Sequence, residues 1–277
     1  MKRIALTALF AALSMAPVAA DSAAGDSVAA ASDSAAGDSV VAVSDTLFPE
    51  LGPRDVARGV DDHFYYPQVH GLEALRARLI VPALDTLFAS NGAAVPEIEF
   101  LWKSPDTRTV LVGRTEAQQL RAQVMRLLDG RGELIVPRPL AETLARYEEQ
   151  HVEGHGDTVQ IVASTSDTTV DLRSMRLTVE RNQWRLIRME ATTTRGTLVS
   201  QNEFQQIHNL NLLSGMDVRI GDVEANIRLE YAPFETYWLV SRIVYAVRGG
   251  SVGRGGNFEI LLDSFRVNAD AASRRAP

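Results

Sequence analysis

The sequence contains no cysteine among its 277 residues. That absence excludes a disulfide framework, a thiolate metal site and a thiol nucleophile. Lys and Arg number 28 against 35 Asp and Glu, and the net charge of -7 argues against nucleic-acid binding, which usually needs a basic face. No glycine-rich phosphate loop opens a predicted helix, so we expect neither a nucleotide nor another cofactor. With 45% apolar and 23% charged residues, the composition excludes a wholly disordered or collagen-like chain.

The first 20 residues have the three parts of a secretory signal peptide. Lys2 and Arg3 are followed by an apolar stretch over 4–15 and by small residues at 18–20. The alternative, a membrane anchor, needs a run of about 20 apolar residues, and this run is shorter. No cysteine follows the cleavage point to carry a lipid. The sequence therefore predicts export to the periplasm without a lipid anchor.

Residues 21–44 are a tandem acidic repeat, DSAAGDSVAAAS followed by DSAAGDSVVAVS. The segment has no basic, aromatic, Leu or Ile residue, so it cannot bury enough apolar surface to offset its ordering entropy. We expect a disordered linker, with a partner-docking repeat as the alternative. Residues 45–277 are then a single domain with a sizeable core.

The first part of this domain mixes helices with a hairpin. Apolar residues at helical spacing predict a helix over 71–87, and further helices are predicted over 115–128 and 139–150. Alternation over 95–112 around Ser104-Pro105-Asp106 predicts a hairpin.

The pattern after residue 158 is that of a β meander. We predict strands at 158–165, 168–173, 174–181, 184–193, 196–206, 224–232, 237–248 and 257–267. Short turns require antiparallel pairing, and a meander of this length curls into a barrel or half-barrel. The predicted fold class is α+β: a curved antiparallel β-sheet, or half-barrel, covered by a few helices.

The last strands, 237–248 and 258–267, carry apolar residues on both faces, so each face needs a cover. Helices across one mouth of the curled sheet would leave an apolar concavity, the usual place for a hydrophobic ligand. In the alternative, side chains fill the concavity completely. The candidate lining residues are Phe100, Trp102, Leu177, Val179, Trp184, Leu186, Leu229 and Tyr231.

The order of the predicted elements and the residue patterns over 60–268 resemble those of the LolA/LolB-like family of periplasmic lipoprotein carriers. The segments that carry the resemblance are Phe100-Leu101-Trp102-Lys103-Ser104-Pro105, the strand pair over 175–190, Arg195-Gly196, Asn202-Glu203-Phe204, the strand over 237–243 and Phe265-Arg266-Val267-Asn268. The resemblance implies a helix-lidded half-barrel that transports lipoproteins, by their acyl chains, for outer-membrane biogenesis. It also implies envelope-stress sensors with the same fold, whose partners would be envelope membrane proteins. The long strands after Gly221 and the acidic repeat depart from the short carriers, which indicates a distant member.

Catalytic and metal motifs are weak. Gly249-Gly250-Ser251-Val252-Gly253 matches G-x-S-x-G, but a strand follows it and all five histidines precede it, against the order of a hydrolase triad. His151 with His155, and the group of Asp61, Asp62, His63 and His70, have possible metal spacing without a third ligand fixed by a motif. We therefore expect no enzyme and no metal. The leading hypothesis is a lipid carrier or sensor, and the alternative is an envelope interaction module with a filled core.

Overall fold

A computed structural model describes residues 51–115, 118–128, 130–167, 172–193, 196–249 and 256–268. The predicted signal peptide, the acidic repeat, most of the strand at 168–173, Arg195 and the G-x-S-x-G segment after Gly249 lie outside the described residues. Those features stay predictions.

The described residues form five helices and twelve strands. The helices are α1 (Pro53–His63), α2 (Ala83–Ala89), α3 (Gln118–Leu128), α4 (Gly132–Ile135) and α5 (Leu140–Leu144). The first six strands are β1 (Ala74–Ile80), β2 (Ile98–Lys103), β3 (Thr107–Val112), β4 (Glu149–His155), β5 (Thr158–Ser164) and β6 (Leu172–Glu180). The others are β7 (Arg185–Thr193), β8 (Gly196–Ile207), β9 (Leu210–Ile220), β10 (Val223–Phe234), β11 (Tyr237–Arg248) and β12 (Gly256–Val267).

All twelve strands form one open, curved sheet in the order β3-β2-β1-β12-β11-β10-β9-β8-β7-β6-β5-β4. Every neighbouring pair is antiparallel. Strands β4 to β12 are a meander, and β1 joins the first hairpin to the last strand. The predicted fold class, a curved antiparallel sheet with a few helices, is confirmed.

The helix predicted over 71–87, with an interruption at Pro82, is wrong for the part before Pro82. That stretch forms strand β1 and, after Pro82, the short helix α2. The strand buries Leu75, Ala77 and Leu79 and turns Arg76 and Arg78 outward. This period-two alternation, together with pairing to β2 and β12, outweighs the helical spacing of the leucines.

The helix predicted over 139–150 ends early, at Leu144, and residues from Glu149 form β4 instead. The Gln150 amide donates to the carbonyl oxygens of Leu144 and Tyr147, at 2.8 Å each, and so satisfies groups at the end of the helix. Strand β9 was not predicted either. It follows a tight turn in which His208 and Asn209 both have positive φ, 49° and 66°, a conformation that favours hairpin turns.

The two faces of the sheet differ in chemistry. Inward side chains and the helices form one continuous apolar core, in which α1 packs against β4, β5 and β7 and α4 packs against β11. The outward face carries cross-strand ion pairs, among them Arg78 with Asp263 at 2.6 Å and Arg242 with Glu230 at 2.8 Å. In the part of the chain that the structure describes, no helix combines the length and apolarity needed to cross a membrane.

Candidate functional site

The predicted lining residues all belong to the apolar core or pack on it. Phe100, Trp102, Leu177, Val179 and Leu229 are 0–4% exposed and are core members. Half-buried Trp184, Leu186 and Tyr231 pack against that core. The curvature of the sheet and the helices thus brings strands β2, β6 and β10, which are far apart in the sheet order, to a common interior. A ligand role for these residues stays a proposal.

Helix α1 covers one part of this interior by direct contact with Trp184. A Cβ added at Gly59 would lie 2.6 Å from Trp184 Cδ2 and closer still to two other indole carbons. The ring of His63, one turn further on, stacks on the same indole at a centroid distance of 6.3 Å. Only glycine at position 59 lets the helix approach the indole this closely.

The half-buried carboxylate of Asp61 joins α1 to α5. Asp61 accepts hydrogen bonds from the backbone N–H groups of Leu140 (2.7 Å) and Ala141 (2.9 Å) and from the Tyr66 hydroxyl (2.8 Å). Burial raises the pKa of Asp61, and the three donors oppose that shift. Because these contacts fill its acceptor sites, Asp61 serves as a helix cap.

Two other metal candidates, His70 and His151, also have partners within the chain. His70 stacks on Tyr65 at 5.0 Å, and exposed His151, on β4, lies 3.2 Å from Glu153. Across the described residues, no three side chains of His, Asp or Glu come together in a way that could hold a metal ion.

The segment 131–138, which contains α4 and which we call the plug, lies against the inner face of the sheet. Its Arg131 is 1% exposed, and the guanidinium lies 4.8 Å from the ring centre of Tyr245 and 5.0 Å from that of Phe258. These two rings stack on each other at 4.4 Å. A Cβ added at Gly132 would lie 2.9 Å from Phe100 Cε2. The plug therefore contacts one predicted ligand residue directly.

Four charged side chains fasten the plug to the hairpin of β2 and β3, and we call them the latch: Asp106, Arg108, Glu133 and Arg138. Asp106 forms ion pairs with both arginines. One Glu133 oxygen lies 3.9 Å from Arg108 and 3.7 Å from Arg138. Arg108 also donates to the Val136 carbonyl oxygen at 2.8 Å.

The latch is largely shielded from water. Its side chains are 7–23% exposed, with Arg138 the most buried. Burial raises the pKa of Glu133 to about 7, although Arg108 and Arg146 lower it, and burial lowers the pKa of Arg108. The Nε atoms of Arg108 and Arg138 are buried without a hydrogen-bond partner.

Sequence reasoning missed both the plug and the latch. A signal was present, because Arg131, Glu133 and Arg138 flank the apolar run 134–136 within eight residues. Charges so close to a buried run indicate either a surface turn or an internal ion cluster. Only the fold shows that Arg108, 30 positions away from Arg138, joins them.

The outward face has a groove of about 880 Å³ across strands β7 to β11, lined by both charged and apolar side chains. The lining includes Arg188, Asp217, Arg219, Glu224, Arg248 and Ala246. Positive and negative groups alternate along the groove, since Glu224 stands opposite Arg219 on one neighbouring strand and Arg248 on the other.

These features define an antiparallel half-barrel closed on its inner side by its own helices. No family model matches the sequence, and no curated protein does. Among solved structures, the chain is similar to a LolA superfamily protein from Nitrosomonas europaea, with a TM-score of 0.35 and 11% identity over 79% of this chain and 94% of the other.

Two further solved structures resemble the chain. The first is a domain from Vibrio parahaemolyticus described as an outer-membrane lipoprotein-sorting protein, with a TM-score of 0.30 and 10% identity over 80% of this chain and 94% of the other. The second belongs to the MucA/MucB complex of Pseudomonas aeruginosa, with a TM-score of 0.22 and 11% identity over 79% and 95%. The structures from Nitrosomonas europaea and Vibrio parahaemolyticus are named for the family that the sequence resembles.

Proposed function

We propose that this chain is a non-enzymatic periplasmic carrier or sensor that accepts an acyl chain between the sheet and the helices. The supporting observation is the continuous apolar inner face. It contains all eight candidate residues, and a plug held by charged side chains lies against it. The periplasmic location rests on the N-terminal 20 residues.

The energetics of such binding need no polar recognition. Each methylene removed from water contributes about 0.8 kcal/mol, so ten buried methylenes contribute roughly 8 kcal/mol before the costs of association. A net 8 kcal/mol would correspond to micromolar affinity, so the buried part of the acyl chain has to exceed ten methylenes to offset the association costs and still reach that affinity. An acyl chain of a lipid or lipoprotein would meet this condition, provided that the covering segments move aside.

Quenching by a brominated fatty acid tests the proposal, because bromine quenches only nearby indoles. The chain has three tryptophans, at 102, 184 and 238. Trp102 and Trp184 are candidate lining residues, whereas Trp238 is the internal control. Three single-tryptophan variants, with the other two residues changed to Phe, would each be titrated with dibromostearate.

We expect quenching at Trp102 and Trp184 that saturates at micromolar ligand, with little at Trp238. Native mass spectrometry of the wild-type protein from its host should show a lipid adduct. Equal quenching at all three positions, or neither quenching nor an adduct, would contradict acyl-chain binding on the inner face.

The outward groove favours a second candidate, a filled-core interaction module that binds an envelope membrane protein. Its alternating charges and volume of about 880 Å³ suit a polar protein segment better than a lipid. Ala246→Trp would fill the groove, whereas Val244→Trp places the same side chain on the same face of β11 outside the groove lining. The interaction module would be supported if the Ala246→Trp variant alone loses a co-purifying partner and the protein carries no lipid.

A further inference from the structure

We propose that the plug is a mobile segment that covers the acyl-chain surface in the closed state. The buried latch sets how often the plug opens. Ligand access is therefore greater at mildly alkaline pH than at mildly acidic pH. The effect on ligand access rests on the proposed binding function. The opening of the plug itself can be measured without any ligand.

The contacts of the plug span a large part of the inner face. It touches Phe100 on β2, Arg108 on β3, Tyr245 on β11 and Phe258 on β12. These strands, with β1 among them, are five successive members of the sheet. At about 4.8 Å per strand spacing, four spacings correspond to roughly 19 Å along the sheet. The plug therefore lies where an acyl chain following the inner face would pass.

The plug is attached by the buried apolar run 134–136 and by the latch, and the latch is the weaker part of this attachment. Burying ions has a desolvation cost, and replacing a buried ion pair by apolar side chains is often neutral or stabilising. Here Glu133 stays more than 3.5 Å from both arginines, and two buried Nε–H groups have no acceptor. Segments with such incomplete polar contacts open locally at a lower free energy than the surrounding sheet.

Several charged groups face Glu133 from neighbouring elements. Arg108 comes from β3, Asp106 from the turn before it, and Arg138 from the end of the plug. Glu142 on α5 acts on Arg108, and Arg146, just after the end of α5, acts on Glu133. Desolvation outweighs the attraction of the arginines, so the closed plug favours the protonated carboxyl.

The direction of the pH effect follows from linkage. The pKa of Glu133 is about 7 in the closed state against 4.5 for the solvated group. The raised pKa of the Glu133 carboxyl stabilises the closed plug. This stabilisation is complete below pH 4.5 and is lost as the pH rises through 7. Between pH 6 and pH 8, the ratio of open to closed plug therefore rises roughly tenfold.

Hydrogen exchange of the full chain without ligand tests the opening. Protection factors, corrected for intrinsic exchange, would be measured at pH 6 and pH 8 for amides of 132–136 and 138. We expect wild-type protection there to fall about tenfold between the two pH values, while β10 and β11 stay unchanged. Glu133→Gln should remove the pH dependence, because it removes the titrating group and keeps the shape.

Two arginine variants complete the set. Arg138→Gln breaks the ion pair with Asp106, so protection of the plug should fall at least about tenfold at both pH values. The control, Arg228→Gln, removes an ion pair with Glu203 on the outward face and should leave the plug unaffected. Should Arg138→Gln fail to fold, the conservative Glu133→Gln still decides. Wild-type protection that is equal at both pH values, or a Glu133→Gln variant that keeps the pH dependence, overturns the proposal.

Dibromostearate titration of the same variants separates the gate from the binding function. Apparent affinity should rise up to tenfold from pH 6 to pH 8 in the wild type and stay constant in Glu133→Gln. If the plug opens as expected and no fatty acid binds, the role of the latch is supported and the carrier function is contradicted. If the fatty acid binds equally at both pH values, the carrier function is supported and control of access by the plug is contradicted.

Discussion

Replacing Gly59 by alanine should destabilise the protein, although the same change in an ordinary helix stabilises it. In a helix interior, alanine is better than glycine by about 1 kcal/mol. Here the added methyl would lie 2.6 Å from Trp184 Cδ2, well inside contact distance. Overpacking costs about 1–3 kcal/mol, and contacts this short belong to the upper part of that range, about 2–3 kcal/mol. After the helix advantage of about 1 kcal/mol is subtracted, we expect a net loss of roughly 1–2 kcal/mol in the free energy of unfolding.

A double-mutant cycle isolates the contact. Urea unfolding followed by circular dichroism would be measured for Gly59→Ala, Trp184→Ala and the double variant. In the Trp184→Ala background the clash is gone and alanine should regain its normal advantage, which gives a coupling energy of about 2–3 kcal/mol. The pair Arg58→Gly and Arg58→Ala, at the exposed neighbouring position, measures the ordinary difference between glycine and alanine in this helix. If Gly59→Ala stabilises the wild type by the same amount as the Trp184→Ala variant, the close packing of α1 on Trp184 is refuted.

Further substitutions test the core and the caps. Leu177→Ala, at 1% exposure, should cost about 2–5 kcal/mol in urea unfolding, whereas Leu111→Ala, at 45% exposure, should change stability by less than about 0.5 kcal/mol. Asp61→Asn replaces one acceptor by a donor facing a backbone N–H, so a loss of about 1–3 kcal/mol is expected by thermal unfolding at pH 7. Comparable losses for Leu177→Ala and Leu111→Ala, or an unaltered melting temperature for Asp61→Asn, would contradict these assignments.

The meander was predictable because its signals are local. Turn residues and alternation between 158 and 267 locate most strands, and the hairpin around Ser104-Pro105 follows the same rules. The helix over 118–128 also follows its apolar stripe. Antiparallel pairing then results from the short connections alone.

The errors occur where distant residues decide the structure. Leu75 and Leu79 fit both a helical spacing and one face of a strand, and pairing with β2 and with β12, nearly 190 positions later, selects the strand. The latch has the same origin, since Arg108 and Glu133 belong to different elements. No local pattern specifies which charges will share a buried space. The inner location of the lining residues was predictable from alternation, but the plug that lies against Phe100 was not.

The pairing of β1 with β12 also bears on how the molecule matures. Asn268, directly after β12, accepts from the Glu73 N–H at 2.8 Å and donates to the Gly71 carbonyl oxygen at 3.1 Å, and so closes a loop of almost 200 residues. Such a non-local contact forms late in folding. Until the last strand has been synthesised and, if the protein is secreted, translocated, β1 lacks one of its two neighbours. A truncation before residue 256 would leave an exposed strand edge, which is a site for aggregation and proteolysis.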